Sequence, residues 1–316
     1  MTMKRLVAVA VLAAATLGAC GSSAKTAATT ATAPPSTKFP VTVTAANGAV
    51  TLPAKPTRIL SLSATATQML YAIGAGPQVV GVDVYSTDPP NAPRTKFTGS
   101  ETSAEDYVGE HPDLVLLAFD TGGKLVAQLS TLHIPALLLP PAKAIDDSYS
   151  QFRQLGLATG HWAAAVKEAN TVAQQLDAVA RSAGDRGKGL SYYHEVDNTL
   201  YSATSKTFIG ALYARLGMVN IADAADGSGS GYPQLSAEYL IRRNPDFVFL
   251  ADTVCCHESA ATLAARPGFS QLQAVRLGHV VLLNDPIASE WGPRVVDFLK
   301  AVATAIEHAS ATTTTT

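Results

Sequence analysis

The chain has 316 residues, of which 47% are hydrophobic and 15% are charged, and its formal net charge is −2. A balance so close to neutral excludes the broad basic surface typical of nucleic-acid-binding proteins, so no nucleic-acid partner is expected. The length and the apolar content favour two domains with sizeable cores.

The N-terminal segment has the features of a bacterial targeting signal. Lys4 and Arg5 precede an apolar stretch at residues 6–17 that is too short to span a bilayer comfortably. This stretch ends in Leu-Gly-Ala followed by Cys20, which resembles a lipobox. We therefore predict a lipoprotein signal peptide at residues 1–19 and a lipidated Cys20 that anchors the protein to the outer face of the cell membrane. The alternative is an ordinary signal peptide with an incidental cysteine.

Two stretches of low complexity flank the remaining chain. Residues 20–38 are dominated by Ala, Thr, Ser and Pro, and residues 310–316 end in a run of threonines. Such compositions bury too little apolar surface to fold. The sequence therefore predicts a disordered tether and a disordered tail.

Strand and helix patterns alternate in residues 39–144 and again in residues 185–309, which indicates two α/β lobes. Asn47-Gly48 near the start of the first lobe predicts a hairpin. Residues 145–184 lack a strand pattern, and their apolar residues recur at helical spacing. We predict that they form one long helix that connects the lobes, with a break near Gly160 as the alternative.

A stretch of sixteen residues occurs once in each lobe, at residues 103–118 and 236–251. Both copies begin Ser-Ala-Glu, continue with Pro-Asp, and end in an apolar run. The pattern predicts a Ser N-cap, a short helix with Glu105 or Glu238 in its exposed first turn, and a buried strand. The two copies are too far apart for a solenoid, so they indicate one unit duplicated in two lobes.

The chain resembles the cobalamin and ferric-siderophore family of bacterial solute-binding proteins, the receptors of ABC importers. The resemblance rests on motifs in family order, at residues 58–63, 74–82, 112–116, 132–135, 155–160 and 292–294. It implies two Rossmann-like α/β lobes joined by a single long rigid helix, with the ligand cleft between the lobes. It also implies a small-molecule ligand, either a corrinoid or a ferric siderophore.

The resemblance further implies a membrane partner. In this family a glutamate on each lobe docks on the membrane permease, which works with its ATPase, and Glu105 and Glu238 fall at those positions. The alternative is that both are first-turn glutamates that merely favour the helix dipole.

Ligands of open parallel sheets lie beyond the carboxyl ends of the strands. In the first lobe this rule selects Tyr85 and Phe119, and neighbouring Asp83 and Asp120. In the second lobe it selects four residues: Glu195, Asp252, Glu290 and Trp291. Core packing or loop anchoring is the alternative for each aromatic residue.

The ligand side departs from the family pattern. Relatives that bind anionic siderophores often carry an arginine where this chain has Glu290 and Trp291. The predicted cleft is acidic and aromatic. This composition favours a neutral or cationic ligand, such as a corrinoid or a cationic ferric hydroxamate.

Cys255, Cys256 and His257 form an unusual cluster. A disulfide between adjacent cysteines, or a free pair, is the simpler interpretation. Binding of a soft metal, or ligation of cobalt or haem iron, is the alternative. We assign no metal site and no cofactor.

Two other classes compete with the importer receptor. An enzyme, such as a periplasmic hydrolase, is not expected, because no catalytic motif is present in the sequence. A surface lipoprotein that senses or scavenges haem or metal without transport would keep the cleft but would not need the paired glutamates.

Overall fold

Two parallel four-stranded sheets form the framework of the protein. The structure is a computed structural model, and it describes residues 35–101 and 103–313. The predicted signal peptide, Cys20 and most of the predicted tether lie outside the described residues. No helix within the described ranges is both long and apolar enough to cross a membrane.

The first lobe contains a hairpin and one of the two sheets. Its elements are β1 (Val41–Ala45), β2 (Gly48–Leu52), β3 (Ile59–Leu62), α1 (Ala64–Ala72), β4 (Val79–Val82), α2 (Glu105–Val108), β5 (Leu114–Leu117), α3 (Lys124–Thr131) and β6 (Ala136–Leu138). The strands of the sheet follow the order β4-β3-β5-β6, and every pairing is parallel.

The hairpin of β1 and β2 covers the free edge of β6. Asn47, at its tip, donates to the carbonyl of Ala136 at 2.9 Å and accepts from the backbone N–H of Leu138 at 3.0 Å. The N–H of Ala46 adds a bond to the carbonyl of Leu138 at 3.0 Å. The predicted hairpin therefore forms, and it protects an edge strand that would otherwise be open to pairing.

Two helices, rather than the predicted single helix, follow the first lobe. They are α4 (Ile145–Thr159) and α5 (Trp162–Ala183). Gly160 ends α4 in the left-handed region with φ of 72°, where glycine has no steric penalty. The chain turns back at Gly160, and α5 packs closely on α4. This close packing is possible because Gly156 has no side chain, since a Cβ atom there would clash with Ala165. The single-helix prediction is wrong because the helical spacing continues on both sides of a glycine that ends the helix.

The second lobe repeats the sheet of the first. Its elements are β7 (Ser191–Glu195), α6 (Phe208–Ala214), β8 (Val219–Asn220), α7 (Ala237–Arg243), β9 (Phe247–Leu250), α8 (Ala260–Ala265), α9 (Gln273–Arg276), β10 (Val280–Leu282), α10 (Asp285–Ser289) and α11 (Val295–Thr313). The strand order β8-β7-β9-β10 matches β4-β3-β5-β6, again with parallel pairing. The start of the predicted tail is wrong, because α11 continues through residues 310–313; residues 314–316 lie outside the described ranges.

The duplicated stretch has the same role in both lobes. Its aspartate, Asp113 or Asp246, lies just before β5 or β9 and accepts hydrogen bonds from the start of the neighbouring strand. Asp113 accepts from the N–H groups of Thr57 at 2.8 Å and Arg58 at 2.9 Å, and Asp246 accepts from the N–H of Ser191 at 2.7 Å. The shared Asp therefore sets the register between the two central strands of each sheet.

One apolar cluster joins the two lobes. It includes buried side chains of β1, α1, α4, α5, α6 and α11 together with strand residues from both sheets. Its members include Phe152, Leu176, Phe249 and Phe298, each fully buried. The helices thus form a shared core behind the cleft, and the carboxyl ends of the strands remain free to build a site.

Candidate functional site

A cavity of about 290 Å³ lies at the carboxyl ends of β3, β4 and β5. The loop after β4 contributes Tyr85, and the loop after β5 contributes Phe119. The segment between α10 and α11 contributes Glu290 and Trp291 from the second lobe. Asp83 also lines it, so five of the eight residues that the strand-end rule selected from the sequence lie on one cavity, whose walls come from both lobes.

The rim of the cavity is aromatic. The side chains of Tyr85 and Phe119 are 64% and 65% exposed, whereas most rings of the protein are buried. Exposed rings beside a concave surface are typical of a ligand site, because they leave apolar area to be covered on binding. Trp291 is half-buried, and its indole N–H donates to Oε1 of Gln151 at 2.7 Å.

Two carboxyl groups face the same cavity from opposite lobes. Asp83 accepts from the N–H groups of Tyr85 and Ser86, at 3.1 and 2.8 Å, and burial raises the pKa of its carboxyl group. Burial also raises the pKa of Glu290 to about 7, although Arg294 opposes this shift. At neutral pH, Glu290 is thus close to half-protonated and can donate as well as accept a hydrogen bond.

The cavity wall lacks positive charge. Among the described residues that line it, none is Lys, Arg or His. Arg294 is near, but its guanidinium lies 3.7 Å from the carboxylate of Asp88. An anionic ligand would therefore meet two carboxyl groups at the wall and no cationic side chain among its described lining residues.

Glu195 does not fit its predicted role as a ligand contact. Its side chain is fully buried at the end of β7, and Arg266 binds both carboxylate oxygens, at 2.6 and 2.7 Å. Tyr193 donates to the same carboxylate at 3.1 Å. The strand-end rule located Glu195 correctly, but the sequence did not reveal that Arg266 occupies it.

Asp252 is also fully buried and lies outside the cavity wall. Within the described part of the chain, neither of its carboxylate oxygens has a hydrogen-bond partner. Burial, followed by the nearby charges of Glu195 and Glu258, raises the pKa of Asp252 to about 7. Arg266 pairs with Glu195 and also with Glu258 at 2.8 Å, so the guanidinium is engaged by the two neighbouring carboxylates. Direct ligand contact by Asp252 does not fit this placement.

Cys255 and Cys256 form a disulfide on an exposed loop. The carboxylate of Asp285 accepts from the N–H groups of Val254 and Cys255, at 2.9 and 2.7 Å, and so ties this loop to α10. The described residues include no group of three or more His, Cys, Asp or Glu side chains suited to a metal ion. A metal ligated by both sulfurs does not fit, because a disulfide leaves no thiolate.

Glu105 and Glu238 are both exposed at the first turns of α2 and α7. Ser236 caps α7 as predicted, and its hydroxyl accepts from the N–H of Tyr239 at 3.1 Å. The cap of α2 differs, because Ala104 rather than Ser103 holds the N-cap position. Hydrogen bonds from its own backbone N–H and from Ser236 lower the pKa of Glu238.

Sequence reasoning missed the polar residues behind the cavity wall. Gln68 donates through Nε2 to Glu290, and Ser148 donates to the carbonyl of Trp291 at 2.5 Å. The available signal was Gln68 itself, a long polar side chain after the small Ala and Thr residues that begin α1. A buried amide at such a position needs hydrogen-bond partners.

The chain is similar in sequence to known binding proteins. It matches the family described as periplasmic binding protein over residues 59–286. It is 33% identical over 282 residues to a cobalamin-binding protein of Halobacterium salinarum, covering 85% of this chain and 75% of that protein. It is 26% identical over 281 residues to an uncharacterized ABC transporter substrate-binding lipoprotein of Bacillus subtilis, covering 85% and 86%.

A solved structure supports the fold. A periplasmic heme-binding protein of Roseiflexus in its apo form superposes with a TM-score of 0.71 at 23% identity, covering 80% of this chain and 98% of that one. That structure has the same fold as this chain, and the two relatives similar in sequence are named as a cobalamin-binding protein and a substrate-binding lipoprotein. The extent of the family match leaves one conclusion, that this chain belongs to the periplasmic binding proteins.

Proposed function

We propose that the protein is the substrate-binding lipoprotein of an ABC importer and that it captures a neutral or cationic corrinoid or ferric chelate. The observation that carries this proposal is the composition of the cavity wall. It combines exposed aromatic rings with carboxyl groups from both lobes, and its described lining residues include no cationic side chain.

A corrinoid suits this wall best. Its ring presents broad apolar faces and a periphery of amides, which match aromatic rims and carboxyl groups respectively. The cavity of about 290 Å³ is small for such a ligand, so most of the ring would rest on the exposed faces of Tyr85 and Phe119. The Halobacterium relative named as a cobalamin-binding protein supports the same class.

Haem is the second candidate, because the Roseiflexus neighbour is a heme-binding protein and the exposed phenol of Tyr85 could ligate iron. The propionates of haem would, however, meet Asp83 and Glu290 without a compensating cation in the described wall. Charge therefore ranks haem below a corrinoid.

A binding assay tests the ligand proposal. A soluble form that starts at Lys38 would be titrated by calorimetry with cyanocobalamin, a cationic ferric hydroxamate, haem and an anionic ferric catecholate. We expect one of the first two to bind most tightly. Tyr85→Ala and Phe119→Ala should each weaken that binding roughly 3- to 10-fold, since a ring contact contributes about 0.5–1.5 kcal/mol beyond its buried area.

The matched control is Tyr232→Ala, because Tyr232 is 45% exposed and lies outside the cavity wall. Binding by the control should equal that of the wild type. Tightest binding of the catecholate, or equal losses in all three variants, would contradict the proposed ligand class or the proposed site.

Membrane attachment and docking complete the proposal. The family indicates a location outside the cytoplasm, and the B. subtilis relative is named as an ABC transporter substrate-binding lipoprotein. We propose that lipidated Cys20 anchors the chain and that Glu105 and Glu238 dock on a permease that works with an ATPase. The exposure of both glutamates at equivalent helix starts supports this docking role.

A further inference from the structure

The segment from Glu290 to Gly292 belongs to the second lobe in chain order, but side chains of α1 and α4 hold it. Gln68 on α1 contacts Glu290, and Ser148 and Gln151 on α4 contact Trp291. None of the three holding residues lines the cavity. They form a second layer of polar side chains behind the part of the wall that carries the indole and one of the two carboxyl groups.

Trp291 is fixed through its indole N–H and its backbone carbonyl. Its indole N–H donates to Gln151, and its carbonyl accepts from Ser148. Gln151 is itself 7% exposed, and its Nε2 donates to the carbonyl of Pro140 at 2.7 Å, so its amide cannot rotate without losing both bonds. An indole N–H is a donor only, so this arrangement selects one orientation of the ring.

Gln68 contacts the residues on either side of Trp291. It is 4% exposed, and its Nε2 donates to the carboxylate of Glu290. A Cβ atom at Gly292 would lie 2.7 Å from Oε1 of Gln68, so the absence of a side chain at Gly292 permits this close approach. Gln68 therefore packs tightly between Glu290 and Gly292 and fixes the position of the carboxyl group.

We infer that Gln151 and Gln68 are positioning residues of the proposed ligand site, which act through Trp291 and Glu290 and do not touch the ligand. Their effect is preorganisation, because a ring and a carboxyl group already held in place lose less conformational freedom when the ligand binds. The inference rests on the proposed function for the identity of the ligand, but the fixation of Trp291 can be measured without any ligand.

The experiment uses Trp291 as its own reporter. The chain has two tryptophans, so Trp162→Phe leaves Trp291 as the only one. In this background, Gln151→Leu should shift the Trp291 emission to longer wavelength and increase its quenching by acrylamide. It should also weaken binding of cyanocobalamin roughly 3- to 10-fold. Gln68→Leu should weaken binding to a similar extent with a smaller change in emission.

Gln154→Leu is the matched control. Gln154 lies on the same helix, one turn from Gln151, but its Nε2 donates to the carbonyl of Thr44 at 2.7 Å. Emission, quenching and affinity should all remain those of the background protein. A Gln151→Leu protein that has lost its fold would show a lowered melting temperature beyond that of the control. Gln151→Glu, whose protonated carboxyl group keeps an acceptor for the indole and a donor for the carbonyl of Pro140, should then restore the emission at acidic pH.

A double-mutant cycle separates positioning from a general structural role. In a Trp291→Phe protein, Gln151→Leu should cost little further affinity, since the donor it holds is gone. A full loss of affinity in that background would overturn the inference, and so would unchanged emission and quenching in Gln151→Leu. If the wild type binds no cyanocobalamin, the proposed ligand is wrong, whereas the emission and quenching still decide whether Gln151 fixes the indole.

Discussion

Asp252 shows how a single residue can make the stability of this protein depend on pH. Its carboxyl group is fully buried beside Glu195 and Glu258, and the one guanidinium of Arg266 serves the other two. The pKa of Asp252 is raised to about 7 by burial and by these like charges. The folded protein therefore favours the protonated form. Folding free energy is lost as the pH rises from about 4, where the unfolded chain ionises, to about 7, above which the loss is constant.

We expect Asp252→Asn to stabilise the protein at pH 8, by on the order of 2 kcal/mol, because asparagine cannot ionise. The unfolded chain ionises near the ordinary pKa of 3.8, so the advantage should shrink as the pH falls through 7 and be close to zero at pH 4. Thermal unfolding at pH 4, 6 and 8 measures it. Asp185→Asn, at an exposed turn, is the control. A gain that is the same at all three pH values would count against the buried charge.

The residues around the site show what sequence can and cannot reveal at this scale. The strand-end rule placed Tyr85 and Phe119 correctly at the cavity, because it depends only on the order of strands and loops. It also placed Glu195 at the end of a strand, but it could not show that Arg266, 71 residues away in the chain, binds this carboxylate. A rule based on position in an element identifies the edge of the sheet, whereas the choice between ligand contact and ion pair depends on tertiary neighbours.

At the level of elements, the contact between α4 and α5 depends on a missing side chain. Gly156 lies inside α4, where alanine would normally favour the helix by about 1 kcal/mol. A Cβ atom there would clash with Ala165 and lie 3.2 Å from the carbonyl of His161. Packing and helix propensity thus oppose each other at this position.

We expect packing to dominate, so that Gly156→Ala lowers the free energy of unfolding by about 1–3 kcal/mol. Denaturant unfolding at constant pH provides the measurement. Gly109→Ala is the control, because Gly109 has φ of −59° and a Cβ atom there would meet nothing within 4 Å. A Gly156→Ala protein as stable as the wild type would contradict the close packing of α4 against α5 at Gly156.

The elements themselves were largely predictable. The hairpin, the helix–strand unit present in each lobe and most of the strands follow from local patterns, whereas the short strand β8 does not. The two sheets have the same strand order. The connecting region was predicted as one helix because the same apolar spacing continues past Gly160. Periodicity describes which face of a helix is buried, but it does not record a change of direction between two helices that bury similar faces.

At the level of the whole molecule, each lobe carries one exposed glutamate at an equivalent helix start. Glu105 and Glu238 lie at the first turns of α2 and α7, immediately upstream of β5 and β9, which have equivalent places in the two sheets. A permease with two basic pockets could bind both at once. The second contact would then form at high effective concentration, so two weak contacts would act together.

We expect Glu105→Ala or Glu238→Ala alone to reduce uptake modestly and the double variant to abolish it at physiological salt, because exposed ion pairs are individually weak and screened. Uptake of labelled ligand by cells that depend on this protein is the measurement. Affinity of the isolated protein for the ligand should not change, and Asp185→Ala serves as the control. Full uptake by the double variant would exclude the docking role, while a loss of ligand affinity would instead assign these residues to the site.

The attachment of residues 290–292 to α1 and α4 affects how such a chain can be recombined. The duplicated lobes have the same strand order, so each lobe looks like an exchangeable unit. A chimera that joins the first lobe of one relative to the second lobe of another would nevertheless separate Gln68 and Gln151 from the tryptophan and glutamate that they hold. The part of the wall formed by Glu290 and Trp291 thus depends on side chains from both sides of the lobe boundary. A chimera that keeps these contacts would transfer residues 289–292 together with α1 and α4.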